Sequence, residues 1–208
     1  MKKAVIIAGG NDIMQNDISC ILKEAEYIVC ADSGYDNCKK MNISPDMIIG
    51  DMDSVKEIPQ SIPQLRVPAE KDLTDTQLCI DVLYDKGYRN ITLLCALGGR
   101  CDHMFANLML LGYAFDKGIQ LVIKNDTETV FLCKNACLLN IEDGKTFSVF
   151  PVGGTCCGVY EKGSKYPLED ADLPVFGTLG ISNEIIGDSA EIGLKSGKLM
   201  VVQTKRID

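Results

Sequence analysis

Acidic residues form two clusters in the first half of this sequence, at Asp51 and Asp53 and again at Asp72 and Asp75. The first pair follows an apolar run, 47–49, that is typical of a buried parallel strand. Side chains two residues apart in an extended chain point to one side, so this pair is expected to project together. Crowded carboxylates repel each other unless a cation lies between them, and such oxygen ligands suit Mg²⁺ that is shared with phosphates. Taken alone, such a pair is better explained as a polar turn, and it is the second acidic cluster that turns the balance toward metal-assisted phosphate chemistry.

The second cluster combines a structural signal with a chemical one. Thr74 and Gln77 have the spacing of a capping box and precede an apolar helical pattern, so helix initiation explains both. Asp75 also suits a first helical turn. Capping does not explain Lys71 and Asp72, where a lysine could act as a point charge on phosphate. Taken alone, this cluster is divided between a structural and a functional interpretation.

A glycine-rich turn between a predicted strand and a predicted helix forms a third group. Gly98-Gly99 allows close approach of the backbone, and the following helix start offers N–H groups to an anion. Arg100 could bind phosphate oxygens with two hydrogen bonds. His103 and Asn107 lie four residues apart and share one helical face. A lone histidine, however, is more often structural than functional.

The other polar turns are weaker signals. Asp32 follows the second predicted strand and would place another carboxylate at the same sheet edge, although an Asp-led turn explains it equally well. The sequence has neither a P-loop motif nor a Gly-x-Gly-x-x-Gly motif after its first strand. Any nucleotide site must therefore be built differently.

Composition limits the class of protein. The 208 residues carry a formal net charge of −8, which argues against a general nucleic-acid binder. No apolar run approaches the length that spans a bilayer, so no membrane association is expected. The ten cysteines include no Cys-x-x-Cys pair. We interpret them as free thiols in a reducing compartment, and the predicted location is the cytoplasm.

The order of predicted elements indicates the fold class. Apolar strand-like runs alternate with amphipathic helical runs in the first part of the chain, which predicts an α/β fold with a doubly wound, mostly parallel sheet. The predicted strands are 4–8, 27–31, 47–49, 91–96 and 120–123, and the predicted helices are 18–25, 35–41, 75–86 and 103–117. Ligands of such sheets bind at the carboxyl ends of the strands, where the acidic clusters are expected.

The second part of the chain is expected to be a smaller all-β sandwich domain. Short runs with β character are predicted at 129–132, 147–150, 158–160, 192–194 and 199–203. Residues 195–198 have the composition of a hairpin turn. We place the boundary between residues 1–126 and residues 127–208.

Five motifs in this order and spacing resemble the thiamine pyrophosphokinase family. They begin at Gly50, Lys71, Gly98, Lys165 and Gly180, and read GDMDS, KDLTD, GGRCDHMFAN, KYPL and GISNE. The resemblance implies an ATP:thiamine diphosphotransferase that uses Mg²⁺, yields thiamine diphosphate and AMP, and works as a homodimer with sites at the subunit interface. It implies that residues 1–126 bind nucleotide and carry catalysis, while residues 127–208 bind thiamine and dimerise.

The resemblance also implies roles for single residues. Asp51, Asp53 and Asp75 would be catalytic and would hold Mg²⁺ against the ATP phosphates. The nucleotide would also be contacted or approached by Asp32, Lys71, Asp72, Arg100, His103 and Asn107. Asp102, a further catalytic candidate, would help Ser182 and Asn183 to seat thiamine. Gln77 replaces a Glu that is frequent in the family, and because the chain has no Trp, Tyr166 or Phe176 would have to stack on thiamine.

Two alternatives stay open from the sequence. The first is a Mg²⁺-dependent phosphohydrolase, or another nucleotide-dependent transferase, that uses the same Asp-x-Asp acids. The second is a module on the same fold that senses nucleotide or thiamine without turnover. Such a module would be expected to have lost its acid cluster, whereas Asp51, Asp53 and Asp75 are all present.

Overall fold

The computed structural model of the chain describes residues 2–16, 18–53, 59–68, 70 and 72–205. The chain divides into two compact units, Met1–Asp126 and Thr127–Asp208. The fold class predicted from the sequence is confirmed, with a mostly parallel α/β sheet in the first unit and antiparallel sheets in the second. No described helix is both long and apolar enough to cross a membrane.

The first unit is built on a parallel sheet with the strand order β6-β5-β1-β2-β3-β4. The chain winds outward in one direction from β1 through β4 and in the other through β5 and β6, so the winding reverses between β1 and β5. The strands are β1 Lys3–Ile7, β2 Tyr27–Ala31, β3 Met47–Gly50, β4 Gln64–Arg66, β5 Asn90–Leu94 and β6 Gln120–Lys124. Clefts for ligands form where the winding reverses.

Helices connect these strands and cover the sheet. They are α1 Ser19–Glu24, α2 Gly34–Lys40, α3 Asp75–Asp85 and α4 Cys101–Asp116. The central strands are almost continuously apolar and buried, as expected for a sheet that is covered on both faces. One cluster of the core packs α2 against β1, β2 and β3, with Ile7, Cys30, Cys38 and Ile48 fully buried.

The second unit is a sandwich of two antiparallel sheets, with strand orders β12-β9-β14-β7 and β11-β10-β13-β8. The strands are β7 Glu128–Cys133, β8 Ala136–Asn140, β9 Thr146–Pro151, β10 Cys156–Lys162, β11 Ala171–Leu173, β12 Asn183–Glu184, β13 Ser189–Gly193 and β14 Leu199–Thr204. A 3₁₀ turn covers Ile141–Asp143. The inner faces of both sheets supply one core, centred on Phe147, Val159, Ile192 and Val201.

The hairpin predicted at residues 195–198 is wrong. Strand β13 pairs with β8 and β10, whereas β14 pairs with β7 and β9, so the segment carries the chain from one sheet to the other. The β-branched and polar residues on both sides have the composition of a hairpin, but pairing is decided by which apolar faces meet in the core. Strands β4, β8, β11 and β12 were not predicted either, because they are short or largely exposed.

Candidate active site

A cleft of about 570 Å³ opens at the carboxyl ends of the parallel strands in the first unit. Loops that follow β1, β2, β3 and β5 form its walls together with the first turns of α3 and α4. It therefore lies where the winding of the sheet reverses. The lining residues that bear functional groups are Asn11, Asp32, Ser33, Asp51, Thr74, Asp75, Thr76, Arg100, His103 and Asn107.

The loop after β1 packs so closely that only glycine fits at Gly10. A Cβ atom there would lie 2.5 Å from the Cys95 carbonyl oxygen, to which the Gly10 amide donates at 2.8 Å. Asn37 fixes the position of this loop. Its buried side-chain Nδ2 donates to the carbonyl oxygens of Ala8 at 3.0 Å and Gly10 at 2.9 Å. The cleft floor is thus fixed by backbone hydrogen bonds, and Asn37 is a supporting residue that the sequence did not indicate.

Asp32 and Asp51 meet at neighbouring strand ends. The Asp32 amide donates to the Ile49 carbonyl at 2.8 Å, and a Cβ atom on Gly50 would lie only 2.7 Å from Cβ of Asp32. Both carboxylates line the cleft. Asp53 does not line it, because Met52 has a φ of 66° that ends the extended chain. Instead, the exposed Asp53 donates its amide to Oδ1 of Asp51 at 3.0 Å.

Left-handed backbone recurs at this sheet edge. Asp32, Met52 and Cys95 have φ values of 41°, 66° and 55°, and each lies one or two residues after a parallel strand. Such conformations are strained for residues other than glycine and are common near functional sites. The sharp turns bring the polar side chains that follow the strands into one cleft.

Of the described acids of the second cluster, one lines the cleft and the other does not. Oγ1 of Thr74 accepts the Gln77 amide at 3.2 Å, which confirms the predicted helix cap. Asp75, in the first turn of α3, lines the cleft together with Thr74. Asp72 is exposed and does not line it. Lys71 lies outside the described residues.

The third group lies at the start of α4. Gly98 and Gly99 both have left-handed backbone, with φ near 73° and 72°, and lead directly into the helix. Arg100, His103 and Asn107 line the cleft. The Asn107 amide also donates to the Ala96 carbonyl at 2.8 Å and ties the helix to the loop after β5. At the helix start, the His103 amide donates to Oδ1 of Asp102 at 2.9 Å.

Asp102 is paired with Arg100 and does not line the cleft. Nε and Nη2 of Arg100 donate to the two Asp102 oxygens at 3.1 and 2.6 Å, and both side chains are exposed. The hydrogen bond from Arg100 is the main cause that lowers the pKa of Asp102 to about 2. A carboxylate with so low a pKa is a weak base, so the geometry favours a pairing role for Asp102 over that of a proton acceptor.

The donor atoms around the cleft fit a hard cation. Asp32, Asp51 and Asp75 bring carboxylate oxygens to one cavity, and such oxygens are ligands that Mg²⁺ prefers. Within the part of the chain that the structure describes, no three His, Cys, Asp or Glu side chains form a metal-binding cluster. Mg²⁺ is typically bound by one or two carboxylates and completes its shell with water and substrate phosphates.

Ser182 and Asn183 lie in the second unit, at the start of β12. Ser182 is exposed, has a φ of 58° and donates its amide to Oγ of Ser148 at 3.0 Å. Asn183 is buried, and its side chain is hydrogen-bonded within the chain. Tyr166, which is hydrogen-bonded to Asn183 through its backbone, is 61% exposed, and Phe176 of the same unit is 98% exposed. The exposed residues of this segment are available to a ligand, whereas Asn183 is enclosed.

Comparison with known proteins identifies the family. A model of the thiamin pyrophosphokinase catalytic domain matches residues 18–123, and a model of the thiamin pyrophosphokinase vitamin B1 binding domain matches residues 137–199. A thiamine pyrophosphokinase of Bacillus subtilis is 29% identical over 212 residues, which cover 98% of this chain and 99% of that protein.

Solved structures give the same result for the fold. The thiamine pyrophosphokinase of Bacillus subtilis superposes with a TM-score of 0.89 at 23% identity over 99% of this chain and 100% of that one. The thiamin pyrophosphokinase of Geobacillus thermodenitrificans superposes with a TM-score of 0.81 at 26% identity over 99% and 98% of the two chains. The sequence, its two domain matches and its fold agree, and the chain belongs to the thiamin pyrophosphokinase family.

Proposed function

We propose that this protein transfers the pyrophosphoryl group of ATP to the hydroxyl group of thiamine, giving thiamine diphosphate and AMP. The observation that carries the proposal is the composition of the cleft in the first unit. Carboxylates of Asp51 and Asp75 face a cavity that also holds Arg100 and the start of α4. Transfer of a phosphoryl-type group needs positioning and charge neutralisation more than covalent help from the protein, and this cleft supplies both.

The nucleotide would bind along α4 and the loop after β1. Arg100 would use its planar guanidinium on phosphate oxygens, and the helix start would add backbone N–H groups. His103, Asn107 and Asp32 complete the proposed nucleotide site, together with Asp72, which does not line the cleft, and Lys71, which is outside the described residues. Mg²⁺, when bound by Asp51 and Asp75, would neutralise the charge that develops on the phosphates. Asp53 stays a candidate for the same ion, although it does not line the cleft.

The reaction itself is a displacement at the β-phosphorus. The thiamine oxygen forms a bond to that phosphorus, while the bond to the oxygen that bridges the α- and β-phosphates breaks. AMP leaves with that oxygen. The hydroxyl proton passes to a carboxylate of the cleft; Asp102, which does not line the cleft, is a poor acceptor because its pKa is low.

Thiamine would be seated through Ser182, in a segment that the buried Asn183 holds in place, with Asp102 as a further proposed contact. An exposed aromatic ring, Tyr166 or Phe176, would stack on the thiamine rings. We further propose a homodimer whose sites lie at the subunit interface. Exposed apolar side chains in both units support a protein contact, and light scattering after gel filtration would measure the mass.

Magnesium dependence and a cytoplasmic location belong to the same proposal. All ten cysteines are free thiols, which suits a reducing compartment. The acidic net charge of −8 makes screening of the site by a cation useful when the substrate is itself an anion.

The test is an assay of the full chain with ATP, Mg²⁺ and thiamine, with AMP and thiamine diphosphate measured by chromatography. We expect the two products in equal amounts, and AMP only when thiamine is present. Asp51→Asn should lower kcat/KM at least about 100-fold, because a charge that organises the phosphates is lost. Asp85→Asn, an exposed acid at the end of α3, is the matched control and should keep full activity.

Other products would support the alternatives. Release of phosphate or ADP without thiamine would indicate a phosphohydrolase or another transferase. Tight binding of thiamine or ATP without any product would indicate a sensing module. Full activity of Asp51→Asn would refute the proposed role of the cleft acids.

A further inference from the structure

A carboxyl group is buried in the second unit without a cationic partner. Glu161 lies in β10 and is 1% exposed, and no lysine, arginine or histidine of the described ranges pairs with it. Its Oε2 accepts a short hydrogen bond from the Asn183 amide, and its Oε1 has no hydrogen-bond partner among the described residues. A fully buried acid of this kind is costly for folding, so a packing role does not explain it.

The partner amide, Asn183, has no hydrogen-bonding capacity left. Its Oδ1 accepts the amides of Tyr166 at 3.0 Å and Glu184 at 2.9 Å. Its Nδ2 donates to the Tyr166 carbonyl at 2.8 Å and to Glu161. An asparagine side chain has two donors and two acceptor sites, so all four are used. Asn183 therefore acts within the protein and cannot offer a further hydrogen bond to a ligand.

These hydrogen bonds fix the backbone of two segments that carry the proposed thiamine contacts. Asn183 joins the segment of Tyr166 to the segment that begins with Ser182. The pairing is continued by the Lys165 amide, which donates to the Glu184 carbonyl at 2.9 Å. Ser182 directly precedes Asn183 and is held in a left-handed conformation. A shift of the Asn183 side chain would move both exposed residues, Tyr166 and Ser182.

We propose that Glu161 is a positioning residue for thiamine, because it holds the Asn183 side chain that aligns Tyr166 with Ser182. This inference rests on the proposed function. The carboxylate gives the Asn183 amide a charge-assisted acceptor, which is stronger than a neutral one. Neither Glu161 nor Asn183 touches the substrate in this view. They set the distance between the residues that do.

The electrostatics of Glu161 agree with such a role. Burial raises its pKa to about 7, and the hydrogen bond from Asn183 acts in the opposite direction. Burial thus destabilises the charged form of Glu161 in the folded protein. The hydrogen bond from Asn183 offsets part of that cost. The titratable residues on either side of it in β10 are engaged elsewhere: Tyr160 donates a hydrogen bond to Glu191 of β13, and the Lys162 ammonium lies over the Tyr160 ring.

The experiment compares variants at position 161 in the full-length chain. Glu161→Gln keeps an acceptor for the Asn183 amide, whereas Glu161→Met and Glu161→Leu keep apolar volume and remove the acceptor. KM for thiamine is measured at saturating ATP, and KM for ATP at saturating thiamine. We expect Met and Leu to raise KM for thiamine about tenfold, with KM for ATP unchanged, and Gln to stay within about threefold of the parent.

Controls separate this inference from the proposed function and from general damage. Glu169→Gln, at an exposed acid of the same unit, should leave both KM values unchanged. If the parent chain makes no thiamine diphosphate, the proposed function is wrong. If the parent chain does make it, the KM values of the Glu161 variants alone decide whether Glu161 positions thiamine. An unchanged KM for thiamine in either apolar variant that folds would overturn the inference. A tenfold increase in KM for thiamine in Glu161→Gln would also overturn it. So would an increase in KM for ATP equal to that in KM for thiamine in the apolar variants.

Discussion

Arg100 presents its guanidinium to the cleft with one edge occupied by Asp102. Nε and Nη2 donate to that carboxylate, and the rest of the five guanidinium N–H donors stay available for phosphate. Since the pKa of Asp102 is lowered to about 2, the pair stays charged at any pH at which the protein would be assayed. Asp102 thereby orients the Arg100 guanidinium, and a change of pH does not break the pair.

Replacement of Arg100 by lysine tests this geometry. Lysine keeps the charge but offers a point charge in place of a planar fork, so binding of phosphate with two parallel hydrogen bonds is lost. We expect Arg100→Lys to raise KM for ATP about tenfold and to leave KM for thiamine unchanged in steady-state kinetics. Arg66→Lys, at an exposed position of β4, is the matched control. A normal KM for ATP in Arg100→Lys would remove Arg100 from the nucleotide site.

At the scale of elements, the sequence predicts the helices and central strands well because their apolar residues repeat with the correct period. The Thr74 cap is an example, since Thr and Gln at this spacing specify where α3 begins. Asn37 could not be predicted. It lies within an amphipathic helix, and its importance comes from two carbonyl groups of a loop far away in sequence. Pairing of that kind leaves no periodic pattern.

Loss of the Asn37 amide should weaken the loop after β1. Asn37→Ala leaves the carbonyl groups of Ala8 and Gly10 without these partners, and we expect the free energy of unfolding to fall by about 2 kcal/mol. Urea titration followed by circular dichroism measures it. Asn135→Ala, an exposed position, should change the free energy of unfolding by less than about 0.5 kcal/mol. An equal effect of both variants would contradict the supporting role of Asn37.

At the scale of the whole molecule, the alternation of elements was sufficient to predict the fold class, and the site could be predicted only in part. Six predicted residues line one cleft: Asp32, Asp51, Asp75, Arg100, His103 and Asn107. Asp53 was expected beside Asp51, but the left-handed Met52 turns the chain between them. Asn183 is buried because it is hydrogen-bonded to the backbone of Tyr166. A contact between residues so far apart in the chain cannot be predicted from the sequence.

The stability of the whole chain should depend on pH through Glu161. Its pKa rises from 4.5 to about 7 on folding, so the folded protein holds this proton more tightly than the unfolded chain. The free energy of unfolding therefore falls as pH rises between these values, by roughly 3–4 kcal/mol in total at about 1.4 kcal/mol per pKa unit. Below pH 4.5 the effect of this group is absent, and above pH 7 it is complete.

Glu161→Gln cannot ionise and should not show this decline. We expect its free energy of unfolding to match the parent near pH 5 and to exceed it by roughly 2–3 kcal/mol near pH 8, measured by urea titration at both pH values. Glu169→Gln should show no such difference. If the gap between Glu161→Gln and the parent were the same at both pH values, the raised pKa would be refuted.

The left-handed residues at the ends of β2, β3 and β5 have a consequence for attempts to improve this protein. Asp32, Met52 and Cys95 each hold strain of about 1–3 kcal/mol that a glycine would release. Directed evolution for heat tolerance could select glycine at these positions, because a single change there relieves the strain. They are also the bends that turn Asp32 and Asp51 toward the cleft. Selection for thermostability alone would therefore lower activity by changing the turns at these strand ends.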